Sequence, residues 1–178
     1  MSLLLAACSV GTTASPQIIP PHNVPFGLLN PAPTTTLPRT STVRVTILFE
    51  GAQHLVTVNR AVPAPGTIRA VLAALGRGPT STEAADNLQS PISTAAPLSL
   101  KSVDGTTAVV DVGSSFSALS GADQIVAAAQ LVYTLALFPG IDQVSIRVGD
   151  QPTRMPTATG KLSSGPLTRS AYASLAPL

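Results

Sequence analysis

The chain has 178 residues, a formal charge of +2 and a hydrophobic content of 44%, which suits one domain of ordinary size with irregular ends and is too apolar for a disordered polyelectrolyte. Aromatic residues reach only 3% and tryptophan is absent, so a platform for stacking bases or sugars has little to be built from. The Lys and Arg side chains are scattered along the chain, which excludes a phosphate track and argues against nucleic acid as a partner. Valine, leucine, isoleucine and alanine must therefore build the core. A single cysteine rules out an internal disulfide and a Cys-rich metal site, and two histidines, His22 and His54, lie in separate segments. No metal and no cofactor is expected.

Near the N-terminus, Leu5-Ala6-Ala7-Cys8 resembles the lipobox of bacterial lipoproteins, cut just before the cysteine. The resemblance implies that Cys8 is a lipidation site carrying a diacylglyceryl thioether, and that the protein sits on the extracytoplasmic face of the cell membrane. Residues 1–8 then read as a truncated signal peptide. Met1-Ser2 supplies no basic region and Leu3 to Leu5 is short for an apolar one, so the natural start is expected upstream or the N-terminus trimmed. Residues 9–41 contain Pro16, Pro20, Pro21, Pro25, Pro31, Pro33 and Pro38, which oppose any helix or ladder and predict an extended tether. Val24, Phe26, Leu28 and Leu29 offer the alternative of docking onto the domain, and His22 is expected in solvent.

Val43, Val45, Ile47 and Phe49 alternate with Arg44, Thr46 and Glu50, which predicts a strand with one buried face; Gly51 to Gln53 reverses it into a second strand from His54 to Arg60. Thr67 should cap a helix bearing Ile68, Val71, Leu72 and Leu75, with Gly76 ending it. Gly76-Arg77-Gly78 lacks the flanking elements of a phosphate loop. Thr80 and Glu83 form a capping-box pattern for a short helix to Asp86, with Asn87 suited to a left-handed exit and Leu88 and Ile92 closing on the core. Asp104-Gly105 predicts the turn of a second hairpin between Leu98 and Val112, with Asp111 read as a strand-end acceptor of backbone amides.

Ser120 and Asp123 predict the capped start of the main helix. Its buried stripe is Ile125, Ala128, Ala129, Val132, Leu135 and Ala136, with Gln130 and Thr134 off that face. Phe138-Pro139-Gly140 stops it, and Val144, Ile146 and Val148 form the inward side of a following strand. Gly149 to Pro152 turns the chain, Thr153 to Pro166 reads as surface coil, and Thr168 is placed to cap a last short helix pinned by Leu167, Tyr172 and Leu175. The predicted fold is α/β in the two-layer α+β sense. A twisted, mainly antiparallel sheet carries two main helices, in the order hairpin, helix, short helix, hairpin, helix, strand. The corresponding division is residues 1–8, the tether 9–41, a domain 42–155 and a tail 156–178.

Several motifs then agree with one family. Ala73-Ala74-Leu75 with Gly78-Pro79-Thr80 and Glu83, Val103-Asp104-Gly105 through Val110-Asp111-Val112, and Gln130-Leu131-Val132-Tyr133-Thr134-Leu135 with Phe138-Pro139-Gly140-Ile141-Asp142-Gln143-Val144 resemble the GerMN domain, the sporulation and spore-germination module. Asn87 stands where the family often has glycine. The resemblance implies a compact α/β domain of envelope lipoproteins and exported proteins, without established catalytic residues. Arg60, Gln130 and Tyr133 are the candidate interaction surface. The expected role is a lipid-anchored, non-catalytic module that binds another envelope protein or supports an assembly; the alternative is an extracytoplasmic binder of a small cell-wall-derived ligand in a groove beside the sheet, near Tyr133. A hydrolase would need His54 beside Ser114 or Ser115 with Asp111 or Asp150 orienting it, and the spacing gives no support for that.

Overall fold

The computed structural model describes residues 41–92, 97–163 and 165–178. Cys8, residues 9–40 of the tether and the docking candidates Val24, Phe26, Leu28 and Leu29 lie outside the described residues. The first element is the expected hairpin, β1 (Thr42–Glu50) and β2 (Leu55–Pro63), paired antiparallel from Thr42↔Pro63 to Glu50↔Leu55. Alternation of buried and exposed residues fails toward the end of β1, where Ile47, Leu48 and Phe49 are all buried. That half of the strand is covered on both faces.

Helix α1 (Ile68–Gly76) starts where Thr67 Oγ1 accepts the amide of Ala70, and it buries Val71, Leu72, Ala74 and Leu75. Gly76 still belongs to the helix; the left-handed residue that follows is Gly78, at φ +71°. Helix α2 (Ser81–Ala85) has the full capping box, with Thr80 and Glu83 satisfying each other's amides, and Asn87 takes the left-handed conformation at φ +61°. Ile92 enters the core, and Leu88 packs against it.

The remaining strands form a separate sheet, in the order β3 (Leu98–Asp104), β4 (Thr107–Val112), β5 (Gln143–Val148) and β6 (Gln151–Pro152). The expected α/β class holds and three of the four strand pairings are antiparallel, but the strands form two sheets where one was expected, and the second is mixed, because β4 and β5 run parallel. The cause is connectivity. The chain crosses from β4 to β5 through helix α3 (Gly121–Leu135), and a helical crossover returns the next strand in the same direction. The β3–β4 turn is also one residue later than expected: Asp104 pairs with Thr107, leaving Gly105 and Thr106 in the turn, with Gly105 at φ +61°.

Ser120 caps α3, its hydroxyl oxygen accepting the amide of Asp123 at 3.2 Å. The return half of the box is absent, since the Asp123 carboxylate accepts the Ser120 hydroxyl instead. Helix α3 is not amphipathic in the expected sense. Every residue from Val126 to Leu135 is buried, Gln130 and Thr134 included, because β1, β5 and the 3-10 segment Arg169–Leu175 all pack against it.

The chain turns after Val148 as expected, but Thr153 to Pro166 is not wholly surface coil, since Met155 and Pro156 are buried. Gly149 and Asp150 both take positive φ and turn the chain into β6, Met155 is buried, and Leu167 bridges Val144 on the outer edge of β5. Tyr172 is wholly buried, and its hydroxyl donates to the carbonyl of Pro156 at 2.9 Å. Thr168 makes no capping bond; its hydroxyl pairs with that of Ser170. Met155, Leu167 and Tyr172 share one core cluster with residues of β1, α1, β4 and α3.

Candidate interaction surfaces

Arg60, Gln130 and Tyr133 occupy three different places, and each ties elements together. The Arg60 guanidinium donates to the carbonyl of Gly78 at 3.1 Å, pairs with Glu83 and lies 5.5 Å from the centre of the Phe49 ring, which fastens β2 to the α1–α2 connection. Burial raises the Glu83 pKa, but the amide and hydroxyl of Thr80 and the charge of Arg60 outweigh it, so the carboxyl is held below the usual range. Tyr133 points inward; its hydroxyl is shared between the carbonyls of Arg169 and Tyr172, and desolvation raises its pKa.

Gln130 has 0% of its surface exposed, which removes it from any interaction surface. Its amide nitrogen donates to the carbonyls of Leu48 and Gln89, and its oxygen accepts the Ser90 hydroxyl at 3.1 Å. One turn further along α3, Thr134 Oγ1 accepts the amide of Leu48 at 3.3 Å. Two side chains at i and i+4 of a buried helix thus occupy both main-chain groups of one strand residue. The polar pair inside an otherwise apolar run was the sequence signal for this contact, and only the position of β1 reveals its meaning.

That contact fixes which way β1 presents its backbone. Because the N–H and C=O of Leu48 point away from β2, the strand repeat points those of Thr42, Arg44 and Thr46 the same way. Past Leu48 the edge is closed again, since Glu50 and Gln89 exchange both main-chain bonds at 2.9 Å. Among the described residues, no bond of this outer edge is made at Thr42, Arg44 or Thr46. Beside this open half lies a depression of about 330 Å³ lined by Val45, Thr46, Val71, Leu137 and Phe138. Leu137 is 52% exposed and Val43 36%.

A second gap interrupts the outer edge of β5. Val144 exchanges bonds with Leu167 and Val148 pairs with Gln151, so Ile146 between them faces a cavity of about 350 Å³ lined in part by Ser145, Arg154 and Met155. Both aspartates of the hydrolase alternative are engaged elsewhere. Asp111 accepts the amide of Asp150 at 2.7 Å, as a strand-end acceptor should, and Lys101 sits 2.6 Å from Asp150 and 3.9 Å from Asp111. The bond from Lys101 holds the Asp150 carboxyl below the usual range. His54 closes the β1–β2 hairpin, its carbonyl accepting the amide of Gly51. Among the described residues there is no group of three metal-ligating side chains, and no helix is long and apolar enough to cross a membrane.

Comparison with known proteins accounts for this architecture. The first GerMN domain of the sporulation protein GerM from Bacillus subtilis matches with a TM-score of 0.57 and 21% identity, over 72% of this chain and 99% of that one. The tandem GerMN domains of the same protein match with a TM-score of 0.55 and 18% identity, over 72% of this chain and 47% of that one, so this chain spans about half the tandem length. Likeness at such identity shows a common fold. A search of curated proteins gives no match. The sequence model of the Germane family, described as sporulation and spore germination, matches residues 46–154, well over half of the chain, and the protein therefore belongs to that family and carries a GerMN-type domain.

Proposed function

We propose that this protein is a lipid-anchored component of the cell envelope, held on the extracytoplasmic face of the membrane through Cys8. Its GerMN domain acts as a non-catalytic interaction or assembly module in a sporulation- or envelope-related process. The observation that carries the interaction role is the half of β1 beside exposed Val43 and Leu137 whose outward main chain has no partner among the described residues: such main chain next to apolar surface is what a partner covers. Anchoring is supported by Leu5-Ala6-Ala7-Cys8 and by the proline-rich residues that follow. Several acyl chains on one cysteine hold a protein durably, at ~0.8 kcal/mol per buried methylene.

The test expresses the gene in its own cells beside a Cys8→Ala variant, with membrane fractionation and crosslinking in intact cells. The expected outcome is membrane partitioning that Cys8→Ala abolishes and a specific envelope protein recovered with the anchored form. Unchanged partitioning of the variant refutes the anchor, and recovery of nothing above background refutes the assembly role.

The cavity at Ile146 favours a second reading, an extracytoplasmic binder of a small cell-wall-derived ligand. Arg154 and the outward main chain of Ile146 suit a short peptide bearing a carboxylate. Calorimetric titration with muropeptides decides it: heat that disappears in Arg154→Ala supports the binder, and no heat from any of them dismisses it.

A further inference from the structure

We infer that the open half of β1 is a strand-addition site, and that its occupant is an extended segment of another envelope protein, apolar at alternate positions and acidic opposite Arg44. This deepens the assembly role and rests on it. Three consecutive outward positions, Thr42, Arg44 and Thr46, offer main-chain donors and acceptors in strand geometry, so a segment of about five residues extends the hairpin into a three-stranded sheet. The ladder has a fixed end. At Leu48 the edge is occupied by Gln130 and Thr134, so an added strand cannot slide further along β1. The depression lined by Val45, Val71, Leu137 and Phe138 lies beside the same positions and accepts an apolar side chain of the added strand.

Charge selects the occupant. Arg44 lies exposed at the middle of the open stretch, and none of the ion pairs among the described residues includes it. A second copy is disfavoured, because the longest antiparallel pairing of two such edges is centred on Arg44 and sets two guanidinium groups opposite each other. Moving the axis to Val43 shortens the ladder and leaves those groups diagonal. An acidic residue in the partner strand turns the same position into a favourable cross-strand pair.

The experiment selects displayed random short peptides on the folded full chain, synthesises the enriched ones, and measures amide hydrogen exchange of the protein with and without them. The expected result is slowed exchange at the amides of Arg44 and Thr46 by about tenfold or more. Thr46→Pro, which removes an outward donor and leaves the main-chain bonds to β2 in place, should weaken binding about fivefold. Arg44→Glu, at an exposed position where folding is not at stake, should reverse the preference from acidic to basic peptides, by about fivefold. Enriched peptides that protect other amides and ignore both variants overturn the proposal, as does a selection that enriches none. Concentration-dependent dimerisation of the full chain that protects the same amides overturns it in favour of a second copy. If crosslinking in cells recovers a partner whose capture survives both variants, strand addition fails while the assembly role stands.

Discussion

The two halves of β1 share one hairpin and one partner strand, yet their outer edges are treated oppositely. From Leu48 to Glu50 the main chain is fully occupied, by Gln130 and Thr134 of α3 and by Gln89 of the loop after α2. From Thr42 to Thr46 the outward groups have no such cover among the described residues, and the side chains grade from half-buried Val45 and Thr46 to exposed Val43 and Arg44. A sheet edge buried against a helix normally faces a hydrogen-bonding vacuum, because a helix has no free main-chain groups along its side. Here two polar side chains one turn apart substitute for a neighbouring strand, at the position where the strand becomes buried. Where burial ends, the substitution ends too.

The comparison breaks most readily at Gln130. Replacement by leucine fills the space but leaves the Leu48 carbonyl and the Ser90 hydroxyl short of a partner, at a cost of about 3 kcal/mol in urea unfolding. Thr134→Val keeps the shape and strands only the Leu48 amide, so about 1–2 kcal/mol is expected. Both residues serve one strand residue, so the double variant should lose less than the sum of the two single losses. Strict additivity would mean that the two contacts act separately, and the picture of a substitute strand would fail.

Sealing the edge also sets Glu50 near Asp123 at the start of α3, and the next prediction concerns pH. Burial raises the Glu50 pKa, and the like charge of Asp123 adds to it. A carboxyl whose folded pKa lies above its unfolded value favours folding fully below the unfolded value, about 4.3, and that contribution is lost as pH rises through the folded value. Glu50→Gln should therefore raise Tm at neutral pH and leave it nearly unchanged in acid. An equal change at both ends would assign the effect to packing.

How far the sequence disclosed this follows from the range of each contact. The caps at Thr67, Thr80 and Ser120, the left-handed Asn87 and the β1–β2 hairpin were legible because they depend on residues a few positions apart. The parallel pairing of β4 and β5 was implicit in the intervening helix, but the split into two sheets was not, since it depends on which face of α3 meets β1 and which meets β5. Gln130 and Thr134 fall off the predicted stripe because helical periodicity assumes one buried face, and α3 is buried on every face from Val126 to Leu135. Tyr172 was legible as an anchor and the stretch before it was not: Met155 is buried by contacts with distant strands. At the candidate surface, the sequence pointed to the side chains of Arg60, Gln130 and Tyr133, whereas the open edge consists of main-chain groups that every residue carries alike.

The smallest effect on stability is expected at the open half, and it sharpens the contrast from the other side. Arg44 makes no ion pair among the described residues and sits where the strand faces solvent, so Arg44→Val should change unfolding free energy by less than about 0.5 kcal/mol. Its consequence lies in association. A charge in the middle of an exposed edge keeps two edges apart, and valine there both removes the repulsion and raises strand preference. Sedimentation velocity on the purified protein should then show concentration-dependent self-association stronger than that of the unaltered chain, and Thr46→Pro in the same background should suppress it. A monomeric Arg44→Val protein would mean that the edge is closed by something other than charge, and the two halves of β1 would then differ less than their hydrogen bonds imply.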